Sequence, residues 1–120
     1  MDELAQIEID QSRDVVIARV QGEIDISNVG AAKRELTEGV PNTALGLVVD
    51  LSNTSHLDSS GIYLLFQLAR ALEGRQQRIC VVAPPSAPSS RVLLITGFDR
   101  IMSVTDTVGE AMAEVSGGGG

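Results

Sequence analysis

Aromatic residues and cysteine are scarce in this sequence. With two phenylalanines, one tyrosine and no tryptophan among 120 residues, aliphatic side chains have to form most of the core. The single cysteine, Cys80, has no partner for an internal disulfide, which indicates a reducing compartment. It lies within the apolar run 79–82 and is expected to be a small buried hydrophobe. A redox sensor, the alternative, needs exposure and a cationic neighbour.

The sequence also has no cluster of metal-ligating residues and no common phosphate-binding motif. His56 is the only histidine, and the carboxylates are scattered rather than clustered at the spacing that zinc or calcium requires. No Gly-x-x-x-x-Gly-Lys-Ser/Thr segment occurs, which disfavours a nucleotide site of that type. We therefore expect no metal and no cofactor.

Positive charge is in short supply. Nine Lys and Arg residues against sixteen Asp and Glu residues give a net charge of −7. This balance disfavours direct binding to nucleic acid or anionic membranes and favours a protein partner with a basic face. No apolar run approaches the ~20 residues of a membrane span. Because Met1 is followed by Asp2 and Glu3, we also expect no secretory signal peptide and a cytoplasmic location.

The order of predicted elements favours one α/β domain. A length of 120 residues fits a single domain, predicted to cover 1–116, and the glycines at 117–120 are expected to form a flexible tail. Polar clusters at 10–14 and 52–56 predict a hairpin turn and a loop. The predicted strands are 5–9, 15–20, 45–49, 78–82 and 102–104, and the predicted helices are about 27–38, 59–74, 91–96 and 108–115.

Helices that alternate with strands are typical of parallel strands joined by crossover helices, and the opening hairpin adds an antiparallel edge. The continuous apolar run 45–49 predicts a central strand buried on both faces. The predicted fold class is α/β, with a mixed central β-sheet of about five strands flanked by about four helices. Short polar side chains are expected to cap the helices: Asp25 or Ser27 the first, Ser89 or Ser90 the third and Thr107 the last.

The segment Asp58-Ser59-Ser60-Gly61 is the candidate functional site. It lies between a buried strand and a helix, where open α/β sheets usually carry their functional loops. Free N–H groups and the positive end of the helix dipole favour negative charge there, which suits a phosphorylatable serine or a bound anion. The alternative is simple capping by Asp58 or Ser59, and the local chemistry alone favours capping.

A polar stripe continues from Ser59 along the predicted helix. Tyr63, Gln67 and Arg70 follow it at i+4, i+8 and i+11 and therefore share one face. This stripe is either a docking surface for a partner or an ordinary solvated face. The apolar residues on the opposite face are Ile62, Leu65, Phe66, Ala69 and Leu72.

Three segments together resemble the anti-sigma factor antagonists of the STAS superfamily. They are Gly22-Glu23-Ile24-Asp25, Asp58-Ser59-Ser60-Gly61 and Arg91–Gly97, in the family's order and spacing over nearly the whole chain. The resemblance implies a mixed sheet flanked by helices, with Ser59 as the phosphorylation site. It also places Asp25 near the partner-binding surface and makes Asp58, Ser60 and Gly61 the rest of the loop.

The function that this resemblance implies is transcription regulation by partner switching. The unphosphorylated domain would bind an anti-sigma factor that is a serine kinase, and so release a sigma factor, often in a stress response. Phosphorylation of Ser59 would abolish the binding, and a serine phosphatase would restore it. The sequence departs from the family at His56, in the prolines of 84–88 and at Tyr63, where a small residue is usual. The bulky ring of Tyr63 is therefore expected to affect partner choice.

Two other functions remain as alternatives. A STAS scaffold or accessory subunit, of a stress complex or a lipid-transport system, would keep the fold without being phosphorylated. A hydrolase that uses Ser59 with His56 and Asp58 is disfavoured, because adjacent positions rarely align as a triad and no Gly-x-Ser-x-Gly segment is present. The sequence therefore predicts a protein that is not an enzyme.

Overall fold

A hairpin forms the first edge of the sheet. In the computed structural model, which describes residues 5–117, β1 (Ala5–Ser12) pairs antiparallel with β2 (Val15–Ile24). The turn between them consists of Arg13 and Asp14, and Arg13 takes the left-handed φ of 58° that tight hairpins favour. The turn is shorter than the predicted 10–14, because residues 10–12 pair with residues 15–17 across the hairpin.

The other four strands run parallel to β2. The sheet order is β1-β2-β3-β5-β6, and β4 pairs with the carboxyl-terminal part of β2. Because residues 47–49 are fully buried, the prediction of a central strand is confirmed. The strands are β3 (Gly46–Asp50), β4 (Thr54–Leu57), β5 (Arg78–Val82) and β6 (Val104–Thr105). The helices are α1 (Val29–Glu38), α2 (Ser59–Gly74), α3 (Pro88–Ile95), α4 (Phe98–Ile101) and α5 (Val108–Val115).

Helices cover both faces of this mixed sheet, as the predicted fold class requires. Alternate residues of β3 point to opposite faces, so Leu47 contributes to the core under α1 and α2 while Val48 contributes to the core under α5. Cys80 belongs to the second core and is fully buried, which confirms that it packs as a small hydrophobe. Burial raises the pKa of its thiol and keeps the sulfur protonated.

The segment predicted as a loop at 52–56 contains a strand instead. β4 pairs with β2 along 22–24 and 54–57, beyond the point where β3 ends. Thr54 is fully buried, and its hydroxyl donates to the carbonyl of Val20 at 2.8 Å. Ser55 and His56, between the buried ends of the strand, are exposed, so the polar composition reflects an internal hydrogen bond at Thr54 and contact with solvent at the other two positions.

The predicted caps of two helices are wrong. α1 begins after Asn28, whose side chain makes no capping bond to the helix, and Asp25 and Ser27 form a separate turn before it. α3 begins at Pro88, whose fixed φ suits the first turn of a helix. Ser89 lies inside α3, where its hydroxyl donates to the carbonyl of Leu51 at 3.1 Å.

The carboxyl-terminal part of the chain adds one helix that was not predicted. The short α4 lies between α3 and β6, and β6 begins two residues later than expected. The cap of α5 is as predicted, since the Thr107 hydroxyl accepts from the N–H of Glu110 at 3.1 Å. The predicted domain of 1–116 and tail of 117–120 reach beyond the described residues, as does the expectation about a signal peptide.

Candidate functional site

The carboxyl ends of β2 and β4 lie side by side. Ile24 and Leu57 are Cα partners in the parallel pairing, and the N–H of Asp58 donates to the carbonyl of Ile24 at 3.3 Å. The β2–β4 pairing contains a register shift between Gly22, which has a φ of 93°, and Glu23. The segments that follow the two strands are thereby brought together although 33 residues separate Asp25 from Asp58 in the chain.

Three Asp-x-Ser turns follow the carboxyl ends of parallel strands. They are Asp25-Ile26-Ser27, Asp50-Leu51-Ser52 and Asp58-Ser59-Ser60. In each, one carboxylate oxygen accepts from the N–H of the serine two residues later, at 2.9, 3.0 and 2.9 Å respectively, and also from its hydroxyl. Local bonds of one kind therefore hold the three carboxylates and the serine two residues after each.

Asp58 caps α2. Its carboxylate accepts from the N–H groups of Ser60 and Gly61, at 2.9 and 3.3 Å, and from the Ser60 hydroxyl. The Ser60 hydroxyl, followed by these two N–H groups and by the charge of nearby His56, holds the pKa of Asp58 below its usual range, although partial burial opposes the shift. Asp58 is therefore a fixed negative charge at the start of the helix.

The two serines after Asp58 differ in their environments. Ser59 is the first residue of α2 and is exposed, and its hydroxyl makes no hydrogen bond with any residue of 5–117. Ser60 is partly buried, and its hydroxyl is bonded to Asp58. One hydroxyl is available to a reacting group, and the other belongs to the cap.

Gly61 seats the first turn of α2 on the sheet. A Cβ at this buried position would clash with Cδ1 of Leu57 and press on Ile24, so only glycine allows the helix to approach the two strand ends this closely. The approach fixes where Ser59 stands relative to the Asp25–Ser27 turn. Gly61 therefore contributes to the site by allowing the backbone of α2 to lie close to the strand ends.

The predicted polar stripe of α2 is narrow. Tyr63 is 63% exposed and Arg70 is exposed, whereas Gln67 is half-buried. Of the residues expected on the opposite face, Ile62, Leu65 and Leu72 are buried and Phe66 and Ala69 partly so. Leu64 and Leu68, which sequence reasoning did not assign to that face, are fully buried as well.

Ile26 is a site residue that sequence reasoning missed. It occupies the middle of the Asp25–Ser27 turn and is 80% exposed, more than any other large hydrophobic residue of the described chain. Asp25 itself is half-buried, and its N–H donates to the Asn28 side chain at 3.0 Å. The available signal was an isoleucine between two turn-forming polar residues, where neither a core nor a helix explains it.

His56 does not form a triad with its neighbours. It is exposed on β4, and among residues 5–117 no hydrogen bond joins it to Asp58 or Ser59. The described residues also bring together no group of three His, Cys, Asp or Glu side chains that would hold a metal ion. In the same part of the chain, no helix has both the length and the apolar character needed to cross a bilayer.

Comparisons with known proteins agree with this architecture. A family model described as the STAS domain matches residues 6–111. The anti-sigma F factor antagonist of Paenibacillus polymyxa is 27% identical over 113 residues, which are 92% of this chain and 94% of that protein. The anti-sigma-F factor antagonist RsfB of Mycobacterium tuberculosis is 29% identical over 104 residues, 87% of this chain and 84% of that protein.

Among solved structures, an anti-sigma factor antagonist from Mycobacterium paratuberculosis superimposes with a TM-score of 0.82 and 26% identity. The match covers 93% of this chain and 94% of the other. The likeness therefore extends over the whole sheet and its helices rather than over one motif.

Proposed function

Because the chain belongs to the STAS domain family, we propose that it is an anti-sigma factor antagonist that phosphorylation of Ser59 switches off. The unphosphorylated form binds an anti-sigma factor that is a serine kinase and thereby releases a sigma factor. The names of its relatives in Paenibacillus polymyxa and Mycobacterium tuberculosis support the antagonist role. The observation that carries the switch is the exposed Ser59 hydroxyl, with no hydrogen-bond partner among residues 5–117, at the start of α2.

Ser59, rather than Ser60, is the acceptor in this proposal. The kinase would transfer the γ-phosphoryl group of ATP to Ser59 Oγ: the new O–P bond forms as the bond to ADP breaks, and the hydroxyl proton is released. Ser60 is the poorer acceptor because its hydroxyl is bonded to Asp58. A phosphate there would bring two anions together and break the cap. A serine phosphatase would return Ser59 to its free form by hydrolysis.

The phosphate acts on the interface rather than on the fold. It adds roughly −1.5 to −2 charges, which the start of α2 favours by about 0.3–1 kcal/mol and Asp58 opposes by a similar amount. A partner carboxylate at ~4 Å, with an effective dielectric constant near 20, would cost about 4 kcal/mol. At 1.4 kcal/mol per factor of ten, binding would weaken by about a thousandfold.

The acidic edge around Ser59 indicates the chemistry of the partner. Asp25 and Asp58 lie in the neighbouring turns that follow β2 and β4, and the whole chain carries −7. A protein surface with basic side chains complements this edge, whereas nucleic acid does not. The partners proposed are therefore the anti-sigma factor kinase and the phosphatase, in the cytoplasm, without direct DNA contact.

We assign no catalytic role to the chain itself. The Ser59 hydroxyl lacks a bonded base, since His56 makes no hydrogen bond to it or to Asp58 within residues 5–117. Nucleophilic serines generally require such a base.

The proposal is tested by binding and phosphorylation with each anti-sigma factor kinase of the same organism. Wild type and Ser59→Ala should bind one kinase tightly, and Ser59→Glu should bind it at least about a hundredfold more weakly. Ser12→Glu adds the same charge to an exposed serine at the end of β1, which pairs with Val15 at the amino end of β2, and should bind like wild type. Incubation with ATP and that kinase should add one phosphate, located on Ser59 by mass spectrometry.

Circular dichroism should show no loss of helix in the phosphorylated protein. Equal binding by Ser59→Ala and Ser59→Glu would refute the switch. Absence of phosphate with every kinase tried would instead favour a STAS scaffold or accessory subunit that is not phosphorylated.

A further inference from the structure

Ile26 stands beside Ser59 on the carboxyl edge of the sheet. We propose that Ile26 is a binding anchor, inserted into an apolar pocket of the anti-sigma factor kinase. This inference rests on the function proposed above. It assigns to Ile26 a role that neither the charge pattern nor the Asp-Ser-Ser-Gly motif indicates.

The position of Ile26 follows from the pairing of β2 with β4. Neighbouring strands lie about 4.8 Å apart, and Ile24 is paired with Leu57. Two residues beyond each partner come Ile26 and Ser59, each in the middle of an Asp-x-Ser turn that has the same hydrogen bonds. The two turns are therefore neighbours with matching local geometry, and each leaves its middle side chain in solvent.

The turn that carries Ile26 does not need an isoleucine. Four hydrogen bonds hold it: the N–H and hydroxyl of Ser27 donate to Asp25, the N–H of Asp25 donates to the Asn28 side chain, and that side chain donates to the carbonyl of Glu23. None involves the side chain at position 26, and the side chain is 80% exposed. Folding therefore gains almost nothing from it.

An isolated exposed apolar residue is ordinary on a protein surface, so exposure alone assigns no role to Ile26. The reason for assigning a role to Ile26 is the set of residues around it. Tyr63, 63% exposed, lies one helical turn beyond Ser59, about 6 Å along the axis of α2. Ser59 thus has an exposed isoleucine on the neighbouring turn, an exposed tyrosine one turn along α2 and the carboxylates of Asp25 and Asp58 in the two turns, a composition typical of an interface centre with a polar surround.

This arrangement defines the chemistry of the partner surface. An apolar pocket receives Ile26, and basic side chains at its border face Asp25 and Asp58. Seating Ile26 would exclude water from around Ser59. A phosphate on Ser59 would then be dehydrated at the closed interface, which adds to the charge repulsion and sharpens the switch.

Ile26→Ala and Ile26→Val test this inference against a matched control. Ile101 is 73% exposed, and it precedes the edge strand β6, which β3 and β5 separate from β2. The probe is the purified anti-sigma factor kinase that binds wild type. Ile26→Ala should raise Kd about tenfold or more, equivalent to 1.4 kcal/mol, and Ile26→Val should raise it less. Ile101→Ala should stay within about twofold of wild type.

Phosphorylation kinetics provide a second measurement. Ile26→Ala should raise the KM for this chain as a kinase substrate about tenfold while kcat is unchanged, because an anchor contributes to binding before and during phosphoryl transfer alike. The melting temperature should equal that of wild type. If Ile26→Ala binds within twofold of wild type while Ser59→Glu does not bind, the anchor is refuted and the switch stands. If wild type binds none of the kinases, both proposals fail.

Discussion

At the scale of single residues, two adjacent serines of identical chemistry have different roles. Asp58 holds the Ser60 hydroxyl and two N–H groups with one carboxylate. Ser59, between them, is left exposed. Asp58 thus binds one serine and leaves the other in solvent at the start of a helix, which agrees with the proposal that Ser59 is the phosphorylated residue.

Asp58→Ala should destabilise the protein by about 1 kcal/mol at pH 7, because α2 loses its cap. The pKa of Asp58 in the fold is held below its usual range, chiefly by the Ser60 hydroxyl. A carboxylate with a lowered pKa stabilises the fold above its unfolded pKa, and this stabilisation disappears as the pH falls through the folded pKa.

Urea unfolding between pH 7 and pH 3 measures this effect. The difference in the free energy of unfolding between wild type and Asp58→Ala should become smaller toward pH 3. Asp58→Asn keeps a capping oxygen without the charge, so its own stability should depend less on pH than that of wild type. If the difference in the free energy of unfolding is the same at pH 7 and pH 3, the charge of Asp58 contributes nothing to stability.

At the scale of secondary structure, the site depends on how α2 rests on two strand ends. Gly61 lies directly over Leu57 and Ile24, and these two residues belong to β4 and β2. One helical residue thus connects the loop that carries Ser59 with the strand that leads to Asp25. A shift of α2 by even part of a turn would separate the two halves of the site.

Gly61→Ala should destabilise the protein by about 1–3 kcal/mol, because its Cβ would overlap the buried side chain of Leu57. Gly74→Ala is the matched control: it lies at the end of the same helix, and nothing comes within 4 Å of its added Cβ. Since alanine favours helix over glycine, this control should be neutral or up to about 1 kcal/mol more stable. Chemical denaturation measures the stability of both variants. If Gly61→Ala is as stable as wild type, α2 does not approach Leu57 this closely.

The sequence predicts the elements that depend on a local pattern of residues. It does not predict those that depend on pairing with a distant part of the chain. The bounds of α2 and β5 agree with the prediction, because the helix has a clear cap and the strand a continuous apolar run. Polar residues predict a loop at 52–56, and the strand β4 forms there because it pairs with β2, more than thirty residues away. The sequence predicts Ser89 as a cap, but its hydroxyl instead donates to Leu51, in a distant part of the chain.

The candidate site shows the same limit. Asp58-Ser59-Ser60-Gly61 is visible as a motif, but the turn in which Asp58 binds the N–H and hydroxyl of Ser60 and leaves the Ser59 hydroxyl free is seen only in the structure. The sequence signal for Ile26 is limited to an isoleucine between two turn-forming polar residues, which does not place it near Ser59. Its nearness to Ser59 arises from the pairing of Ile24 with Leu57, which no local pattern encodes.

At the scale of the whole molecule, negative charge has two effects, one from the net charge of the whole chain and one from the carboxylates beside Ser59. The net charge of −7 attracts basic partners from any direction, whereas the carboxylates of Asp25 and Asp58 act in the neighbouring turns beside Ser59. The net charge raises the encounter rate, and the local carboxylates orient the encounter. The two contributions are separable, since a neutralised carboxylate changes the net charge equally wherever it lies.

Asp25→Asn and Asp14→Asn remove the same charge at opposite ends of β2. Asp25 follows its carboxyl end beside Ser59, and Asp14 lies in the hairpin turn before its amino end. Asp25→Asn should lower the association rate with the anti-sigma factor kinase by roughly twofold or more at low salt, and Asp14→Asn should lower it less. The difference should vanish near 1 M salt, where the Debye length is about 3 Å. Stopped-flow association measures both rates, and equal losses would mean that net charge alone, rather than the edge beside Ser59, guides the partner.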